Sequence, residues 1–325
     1  MKRCKRMMDV KIALPVLISF AISAAAGPIV IPILRKLKVG QTVRDDGPQT
    51  HLKKNGTPTM GGVIFLLAVL ITSLIYAPQY PKVIPVLFMT VGFGIVGFLD
   101  DFIKVVLHRS EGLTPGQKMA GQLVVTAVFA YYMVKISDVG LTLKVPFFPN
   151  ISLDPGWLSI PLLFFVVIGT VNGTNFTDGL DGLAASVTVM VAVFFSVVAL
   201  GTNAGIAPIT LAVVGGLLGF LLFNVYPASV FMGDTGSLAL GGFVASTAYM
   251  MNMPLFLLLV GLIYLIEVLS VMIQVTYFKV THGKRFFKMA PIHHHFEKCG
   301  WSETRVVTVF SIITALCCLV ALAGI

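Results

Sequence analysis

The stretch LAASVTVMVAVFFSVVAL, residues 183–200, contains no charged side chain and decides the class of fold. A helix that crosses a bilayer needs about 20 predominantly apolar residues. Similar blocks recur along the 325-residue chain, which is 57% hydrophobic and only 11% charged. Soluble domains carry about a quarter charged residues. Because helices satisfy their own backbone hydrogen bonds in lipid, the sequence predicts an all-α polytopic membrane protein, forming a single domain over residues 1–325.

Ten apolar segments are predicted to span the membrane. They cover residues 12–34, 61–77, 83–99, 119–136, 158–172, 183–200, 207–223, 238–252, 255–278 and 306–324. One alternate set of loops carries nearly all the Lys and Arg residues, and the other carries only Lys82, Lys135 and Lys144 apart from the N-terminal tail. Basic loops lie in the cytoplasm under the positive-inside rule. The basic tail, residues 1–11, falls on the outer side, and we expect the loop charges to outweigh it.

The distribution of charge and the cysteine content argue against a nucleic-acid-binding protein and against a disulfide-rich one. The net charge of +9 resides in short loops between apolar blocks, so we expect anionic lipids and substrates as partners, and no nucleic acid. The four cysteines form no disulfide framework, since two are adjacent in an apolar run and two are isolated. No cleavage site follows the basic start, so the first span is expected to be retained. The polar loop from Ser137 to Trp157 could form a small outer hairpin.

Carboxylates cluster at one predicted face of the membrane. Asp100, Asp101, Asp178, Asp181 and Asp234 all lie in, or at the edge of, loops assigned to the cytoplasm. Charged groups next to a bilayer are costly and therefore indicate function. Their convergence on one face predicts a site there.

The first motif is GFLDDFIK, residues 97–104, in which two adjacent carboxylates end an apolar span. Such a pair could help to hold Mg²⁺, or one member could take a proton from a phosphate nucleophile. The alternative is a pair of interfacial charges neutralised by Lys104 and Arg109.

The second motif is NGTNFTDGLDGL, residues 172–183. Asn172, Asn175, Asp178 and Asp181 recur every three residues, so a helical turn would place them along one face. The alternative is a helix cap. A cap requires one such side chain rather than four, which favours a functional role.

The third motif is NVYPASVFMGDTGS, residues 224–237. Asp234 is expected in a loop between glycines, where it could bind a metal or phosphate, and Phe231 could stack on a base. A helix cap for Asp234 and ordinary packing for Phe231 are the alternatives.

The fourth motif is APIHHHFE, residues 290–297, within the long basic loop 279–305. Consecutive histidines diverge and lack zinc-ligand spacing, so binding of a pyrophosphate or of anionic lipid headgroups is expected instead. Lys53 and Lys54 in the first cytoplasmic loop could touch phosphate or only satisfy the positive-inside pattern. Glu267, inside the ninth span, is interpreted as a possible break or bend.

Together with GTPTMGG at 56–62, these motifs resemble those of the polyprenyl-phosphate N-acetylhexosamine-phosphate transferases, over nearly the whole chain. The APIHHHFE string favours the muramoyl branch of that family. The resemblance implies a Mg²⁺-dependent transfer of phospho-N-acetylmuramoyl-pentapeptide from its UDP derivative to undecaprenyl phosphate, giving lipid I and UMP for peptidoglycan. It also implies a homodimer in the bacterial inner membrane with its active site on the cytoplasmic face.

The resemblance also implies residue roles. Asp234 is similar to the metal ligand, and Asp100 to the catalytic base. Asp101, Lys118 and His293 match further catalytic positions. The predicted substrate-binding residues are Asn175, Asp178, Asp181, Asn224, Phe231, His294, His295 and Lys53, with Phe231 against uracil.

Three other functions remain open from the sequence alone. A sister transferase would use UDP-N-acetylglucosamine. An ion-coupled transporter would place its acids at the membrane midplane in broken helices, whereas nearly all acids here lie at span ends. A prenyl transferase would use acidic pairs but would leave the histidine triplet unexplained.

Overall fold

The structure, a computed structural model, describes residues 2–37, 56–105, 107 and 112–325. Helices dominate this part of the chain. They are α1 Lys2–Lys36, α2 Gly62–Tyr76, α3 Val83–Val105, α4 Pro115–Lys135, α5 Ser159–Thr177, α6 Leu183–Gly201, α7 Ala207–Asn224, α8 Gly233–Met250, α9 Leu257–Val260, α10 Leu262–Val280, α11 Ile292–Lys298 and α12 Glu303–Ala323. The predicted all-α polytopic membrane fold is confirmed.

Each predicted span overlaps one helix, except that the ninth covers both the short α9 and the longer α10. Helix α11 lies between the ninth and tenth spans. Among the described residues, seven helices are long and apolar enough to cross a membrane, namely α1, α3, α5, α6, α7, α10 and α12. Helix α2 has only 15 residues. Helix α4 begins with polar residues, and α8 is rich in Gly, Ser and Thr. The count of ten membrane crossings stays a prediction.

A small antiparallel hairpin lies in the polar loop between α4 and α5, as the sequence predicted. Its strands are β1 Leu143–Val145 and β2 Phe148–Leu153, paired through Leu143 and Leu153. The Asn252 carbonyl accepts a hydrogen bond from the Lys144 N–H, and the Gly324 carbonyl accepts one from the Phe147 N–H. The hairpin is therefore held against the ends of α8 and α12.

The bundle has two chemically different ends. One, here called the acidic end, contains the C-termini of α3, α5 and α7 and the N-termini of α4, α6 and α8, with Asp100, Asp178 and Asp234. The opposite end contains the hairpin and an exposed ion pair between Lys82 and Asp138, at 2.9 Å. Up-and-down connectivity brings separated motifs together at the acidic end.

Helix α8 is the buried centre of the bundle, enclosed from Thr235 to Met250. It packs most extensively against α3. The two backbones touch at Gly97, where a Cβ atom would lie 2.0 Å from the carbonyl oxygen of Asp234. Close approach through small residues is the usual way for helices to associate in membranes. This contact fixes the first turn of α8 against the end of α3.

Two sequence interpretations were wrong about helix boundaries. Helix α8 begins at Gly233, so Asp234 lies in its first turn and not in a loop. The ninth span is interrupted at Gly261, between α9 and α10, and not at Glu267, which lies inside α10. The buried Glu267 side chain instead has a partner, His293.

Candidate active site at the acidic end

The carboxylate of Asp234, on α8, contacts side chains from three other helices. Its Oδ2 accepts hydrogen bonds from the ammonium groups of Lys104 on α3, at 2.9 Å, and Lys118 on α4, at 3.0 Å. Its Oδ1 accepts one from Nδ2 of Asn175 on α5, at 2.7 Å. Both carboxylate oxygens are therefore held by donors from neighbouring helices.

Asp100 is the second carboxylate of this cluster and is almost completely buried. Its Oδ2 lies 2.6 Å from the Lys104 ammonium and 3.8 Å from that of Lys118. Its Oδ1 accepts the backbone N–H of Leu113, at 2.7 Å. Two lysines therefore neutralise two aspartates, and each lysine approaches both carboxylates.

Asp101, the neighbour of Asp100, binds the N-terminus of α8. Its Oδ2 accepts both the backbone N–H and the hydroxyl of Thr235, at 2.8 and 2.6 Å. Its Oδ1 accepts the backbone N–H of Asp234, at 3.2 Å. Helix N-termini carry unpaired N–H groups that favour a carboxylate. Asp101 thus caps α8 from another helix and fixes the backbone that carries Asp234.

Replacing Asp101 with alanine is expected to destabilise the fold by about 3 kcal/mol, because it leaves buried donors on α8 without their charged acceptor. Asparagine, which keeps one carbonyl oxygen, should lose less. Thermal unfolding in detergent measures both variants. Unchanged melting of the alanine variant would contradict the capping role.

The series Asn172, Asn175, Asp178 and Asp181 does not lie along one helical face, which corrects the sequence interpretation. Helix α5 ends at Thr177, and the chain turns before α6 begins at Leu183. Asn172 bonds to Gln122 on α4, at 3.0 Å. Asn175 reaches the Asp234 cluster, and the two aspartates follow in the turn. The spacing alone could not show that α5 ends at Thr177, between the two asparagines and the two aspartates.

Asp178 lies beyond the end of α5, next to the cluster. Burial raises the pKa of the Asp178 carboxyl well above its ordinary value, and the carboxylates of Asp234, Asp101 and Asp181 raise it further. A hydrogen bond to the backbone of Gly233 acts in the opposite direction. Asp178 therefore takes up a proton more readily than a free aspartate.

This raised pKa predicts a pH-dependent effect of replacing Asp178 with asparagine. The folded pKa exceeds the unfolded one, so the stability that Asp178 contributes is fully present below about pH 4 and is lost as the pH rises through the folded value. The asparagine variant lacks this loss. Its melting temperature should therefore exceed that of the parent by a margin that widens between about pH 5 and about pH 8. A constant margin would contradict the assignment.

Asp181 and Asn224 connect the turn after α5 to the segment before α8. Asp181 accepts the N–H of Ala228 through Oδ2, at 2.9 Å. Asn224 donates to the carbonyl of Val230, at 2.9 Å, and accepts the N–H of Gly182, at 3.2 Å. Both side chains are buried. The two side chains therefore hold the turn after α5 against the segment before α8. Their predicted contact with substrate stays a prediction.

The backbone of Phe231 is hydrogen-bonded to the segment 58–62, which precedes α2. The N–H of Phe231 donates to the carbonyl of Pro58, and the N–H of Gly61 donates to the carbonyl of Phe231, both at 2.8 Å. A Cβ atom on Gly62 would lie 2.4 Å from the backbone of Gly236. The glycines thus serve close backbone packing, and stacking of Phe231 on uracil stays a prediction.

The three histidines have different surroundings. His293 is completely buried, with Nδ1 3.0 Å from Oε1 of Glu267. His294 Nδ1 lies 2.7 Å from Oε2 of Glu297. His295 Nδ1 accepts the N–H of Lys288, at 3.1 Å. His293 lies against the Asp178 loop, where a Cβ atom on Gly179 would lie 2.1 Å from its Nε2.

Sequence reasoning missed several side chains of this site. Lys104 was regarded only as a counter-charge, and Gln122, Glu267, Ser237 and Glu303 received no role, although Glu303 accepts the N–H of Asp181 at 2.6 Å. The signal for Lys104 was its position four residues after Asp100, which shares a helical face. The predicted Lys53 lies outside the described residues.

These features define a membrane transferase by comparison with known proteins. A family model described as glycosyl transferase family 4 matches residues 83–252, just over half of the chain, which include Asp100, Lys118, Asn175 and Asp234. A second match, at residues 54–66, is described as phospho-N-acetylmuramoyl-pentapeptide-transferase signature 1. That signature includes Gly61, whose N–H donates to the carbonyl of Phe231, and Gly62, which packs against Gly236.

Comparison with individual relatives identifies the family within this class of transferases. A phospho-N-acetylmuramoyl-pentapeptide-transferase from Acetivibrio thermocellus is 54% identical, over 93% of this chain and 92% of its own. The protein of that name from Clostridium perfringens is 50% identical over the full length of both chains. The one from Clostridioides difficile is 53% identical, over 92% of this chain and 93% of its own. The chain belongs to the phospho-N-acetylmuramoyl-pentapeptide-transferase family.

Proposed function

We propose that the protein transfers phospho-N-acetylmuramoyl-pentapeptide from UDP-N-acetylmuramoyl-pentapeptide to undecaprenyl phosphate, giving lipid I and UMP. The observation that supports this most strongly is the convergence of Lys104, Lys118 and Asn175 on Asp234 from three helices. Membership of this family argues against the transporter and prenyl-transferase alternatives. The lipid acceptor explains why the catalyst is a membrane bundle with polar residues at one end.

The charge arrangement suits phosphoryl transfer, which depends more on positioning and charge neutralisation than on covalent help. In this proposal Lys104 and Lys118 neutralise the incoming diphosphate. The basic loop that carries Lys284, Arg285 and Lys288 supplies further positive charge. Asp101 acts indirectly, by holding the first turn of α8.

The carboxylates of Asp100 and Asp234 suit a divalent cation, because together they already bind a positive charge. That charge is the Lys104 ammonium, which lies 2.6 and 2.9 Å from them. The described residues contain no group of three or more His, Cys, Asp or Glu side chains that could hold a metal alone. Mg²⁺ usually binds one or two carboxylates and takes its other ligands from substrate phosphates and water. Asp234, with Asp100 beside it, would hold Mg²⁺, which would supply charge neutralisation for the diphosphate.

We infer a direct transfer in which a phosphate oxygen of the lipid attacks the sugar-linked phosphorus and UMP leaves. Asp100 takes the proton of the lipid phosphate before attack. The rival path forms an aspartyl-phosphoryl intermediate. Rapid quenching with labelled nucleotide sugar and no lipid separates them, because trapped labelled protein would refute direct attack.

The orientation of the protein follows from the same proposal. UDP-linked substrates are cytoplasmic, so the acidic end faces the cytoplasm of a bacterial inner membrane, in agreement with the basic loops at that end. A homodimer, as in the resembled family, remains part of the proposal.

The assay of UMP release tests the function. Purified protein receives undecaprenyl phosphate and Mg²⁺ with either UDP-N-acetylmuramoyl-pentapeptide or UDP-N-acetylglucosamine. Release with the muramoyl substrate alone supports the proposal. Release only with UDP-N-acetylglucosamine would identify the sister activity instead.

A further inference from the structure

Glu267 is a carboxylate in the second turn of the membrane-spanning helix α10, with none of its surface exposed. An acid inside a bilayer bundle is costly unless it has a partner. Its Oε1 lies 3.0 Å from His293 Nδ1, while Oε2 has no hydrogen-bond partner in the described part of the chain. The Ser270 hydroxyl donates to the backbone carbonyl of Glu267. The contact with His293 is the feature that accounts for an acid here.

His293 has equally restricted surroundings. It belongs to the short helix α11, is completely buried, and its Nε2 also has no hydrogen-bond partner among the described residues. This nitrogen lies against the backbone of Gly179, where an added Cβ would approach to 2.1 Å. Gly179 directly follows Asp178. The imidazole therefore joins Glu267 on one side to the loop of the active site on the other.

The contacts define the tautomer of His293. An ionised Glu267 can only accept a hydrogen at 3.0 Å, and this contact then requires the proton of His293 on Nδ1. A neutral imidazole then carries a lone pair on Nε2. This lone pair matches the Cα hydrogens of Gly179, which are weak donors, whereas an N–H at Nε2 would meet no acceptor there. The partner of one ring nitrogen thus fixes the state of the other.

We propose that Glu267 is a positioning residue for the reaction, which holds His293 in the Nδ1–H tautomer and directs the Nε2 lone pair to the loop that carries Asp178. The inference rests on the proposed transferase function for its kinetic part only. The Nδ1 atoms of His294 and His295 have other partners, Glu297 and the N–H of Lys288. One histidine of the triplet is therefore oriented for the active site, and its orientation depends on a residue 26 positions earlier in the chain.

The substitution Glu267→Gln tests the proposal. It preserves the shape and removes a buried charge, so the variant should fold. Its amide can donate to Nδ1 as well as accept from it, so the tautomer is no longer fixed. The kcat for UMP release should fall by about tenfold or more, as expected when the orienting partner of a functional imidazole is lost. Ser270→Ala, on the same helix and also buried, is the matched control and should keep kcat within about twofold.

Two readouts separate positioning from a general structural effect. Ring ¹⁵N NMR of histidine-labelled protein, with the His293 signal identified by its loss in His293→Ala, should show a protonated Nδ1 and an unprotonated Nε2 in the parent and a changed pattern in Glu267→Gln. In the His293→Ala background, Glu267→Gln should add less than about a twofold loss of residual turnover. It should raise the melting temperature there, because it removes a buried carboxylate that has lost its partner.

Either of two results would overturn the proposal. One is an unchanged His293 tautomer in Glu267→Gln. The other is an equal effect of Glu267→Gln on melting with and without His293. Both can be observed without turnover, so they are distinct from failure of the transferase assay.

Discussion

Replacing Asp234 with asparagine is expected to reduce the kcat for UMP release by about 10³-fold or more while leaving the fold intact. Asparagine keeps an oxygen that can accept from Asn175, so the geometry of the first turn of α8 is retained. The negative charge that Lys104 and Lys118 share is lost, and with it the proposed cation site. Removing one preorganised electrostatic group from an active site costs about 10²–10³ in rate, and Asp234 combines two such functions.

The matched control is Asp138→Asn, which also removes an aspartate from a lysine pair but at the opposite end of the bundle. An exposed pair contributes little to stability, so turnover should stay within about twofold. UMP release and thermal unfolding in detergent are measured for both variants. Turnover of Asp234→Asn within about tenfold of the parent would remove Asp234 from the mechanism.

Replacing Gly97 with alanine is expected to reduce turnover by about 10²-fold and to lower the melting temperature, although Gly97 carries no functional group. The new methyl group would lie 2.0 Å from the carbonyl oxygen of Asp234 and 2.7 Å from the N atom of Thr235. These are backbone atoms, so the start of α8 must move away from α3. Overpacking costs about 1–3 kcal/mol, and a shift of about 1 Å at a reacting centre can cost about 10²-fold in rate.

Gly169 on α5 provides the control for this substitution, because a Cβ atom there meets no atom within 4 Å. Alanine is the better helix former by about 1 kcal/mol. Gly169→Ala should therefore melt at or above the parent temperature with normal turnover. If Gly97→Ala behaved in the same way, the close packing of α3 on α8 would not position Asp234.

Hydropathy predicted the helices well where a span is a continuous apolar block, as residues 183–200 illustrate. The boundaries of α8 were less accurate for a physical reason. Its first turn contains Gly233, Asp234, Thr235 and Gly236, a composition typical of a loop, yet the helix is buried in the bundle from Thr235 onward. A helix buried inside the bundle does not need an apolar sequence to its ends.

The candidate site was predictable as a set of residues but not as a set of contacts. The alternation of basic and non-basic loops predicts Asp100, Asp178 and Asp234 on one face of the membrane, and the fold brings them together. Which partner each acid takes depends on side chains far apart in sequence. Asp101 caps α8, more than 130 residues later, and Glu267 holds His293. No local pattern encodes such pairs.

The most direct test of a single catalytic centre is the labelling of cysteines with a membrane-impermeant maleimide, in vesicles of each orientation. Cys299, which is exposed beside the histidine triplet, is the first reporter once the other three cysteines are replaced. Ser229→Cys, near Asp234, and Asp154→Cys, beside the outer hairpin, are made in a cysteine-free chain. We predict that positions 299 and 229 react from the cytoplasmic side and position 154 from the opposite side. Reaction of 299 and 229 from opposite sides would contradict a shared centre.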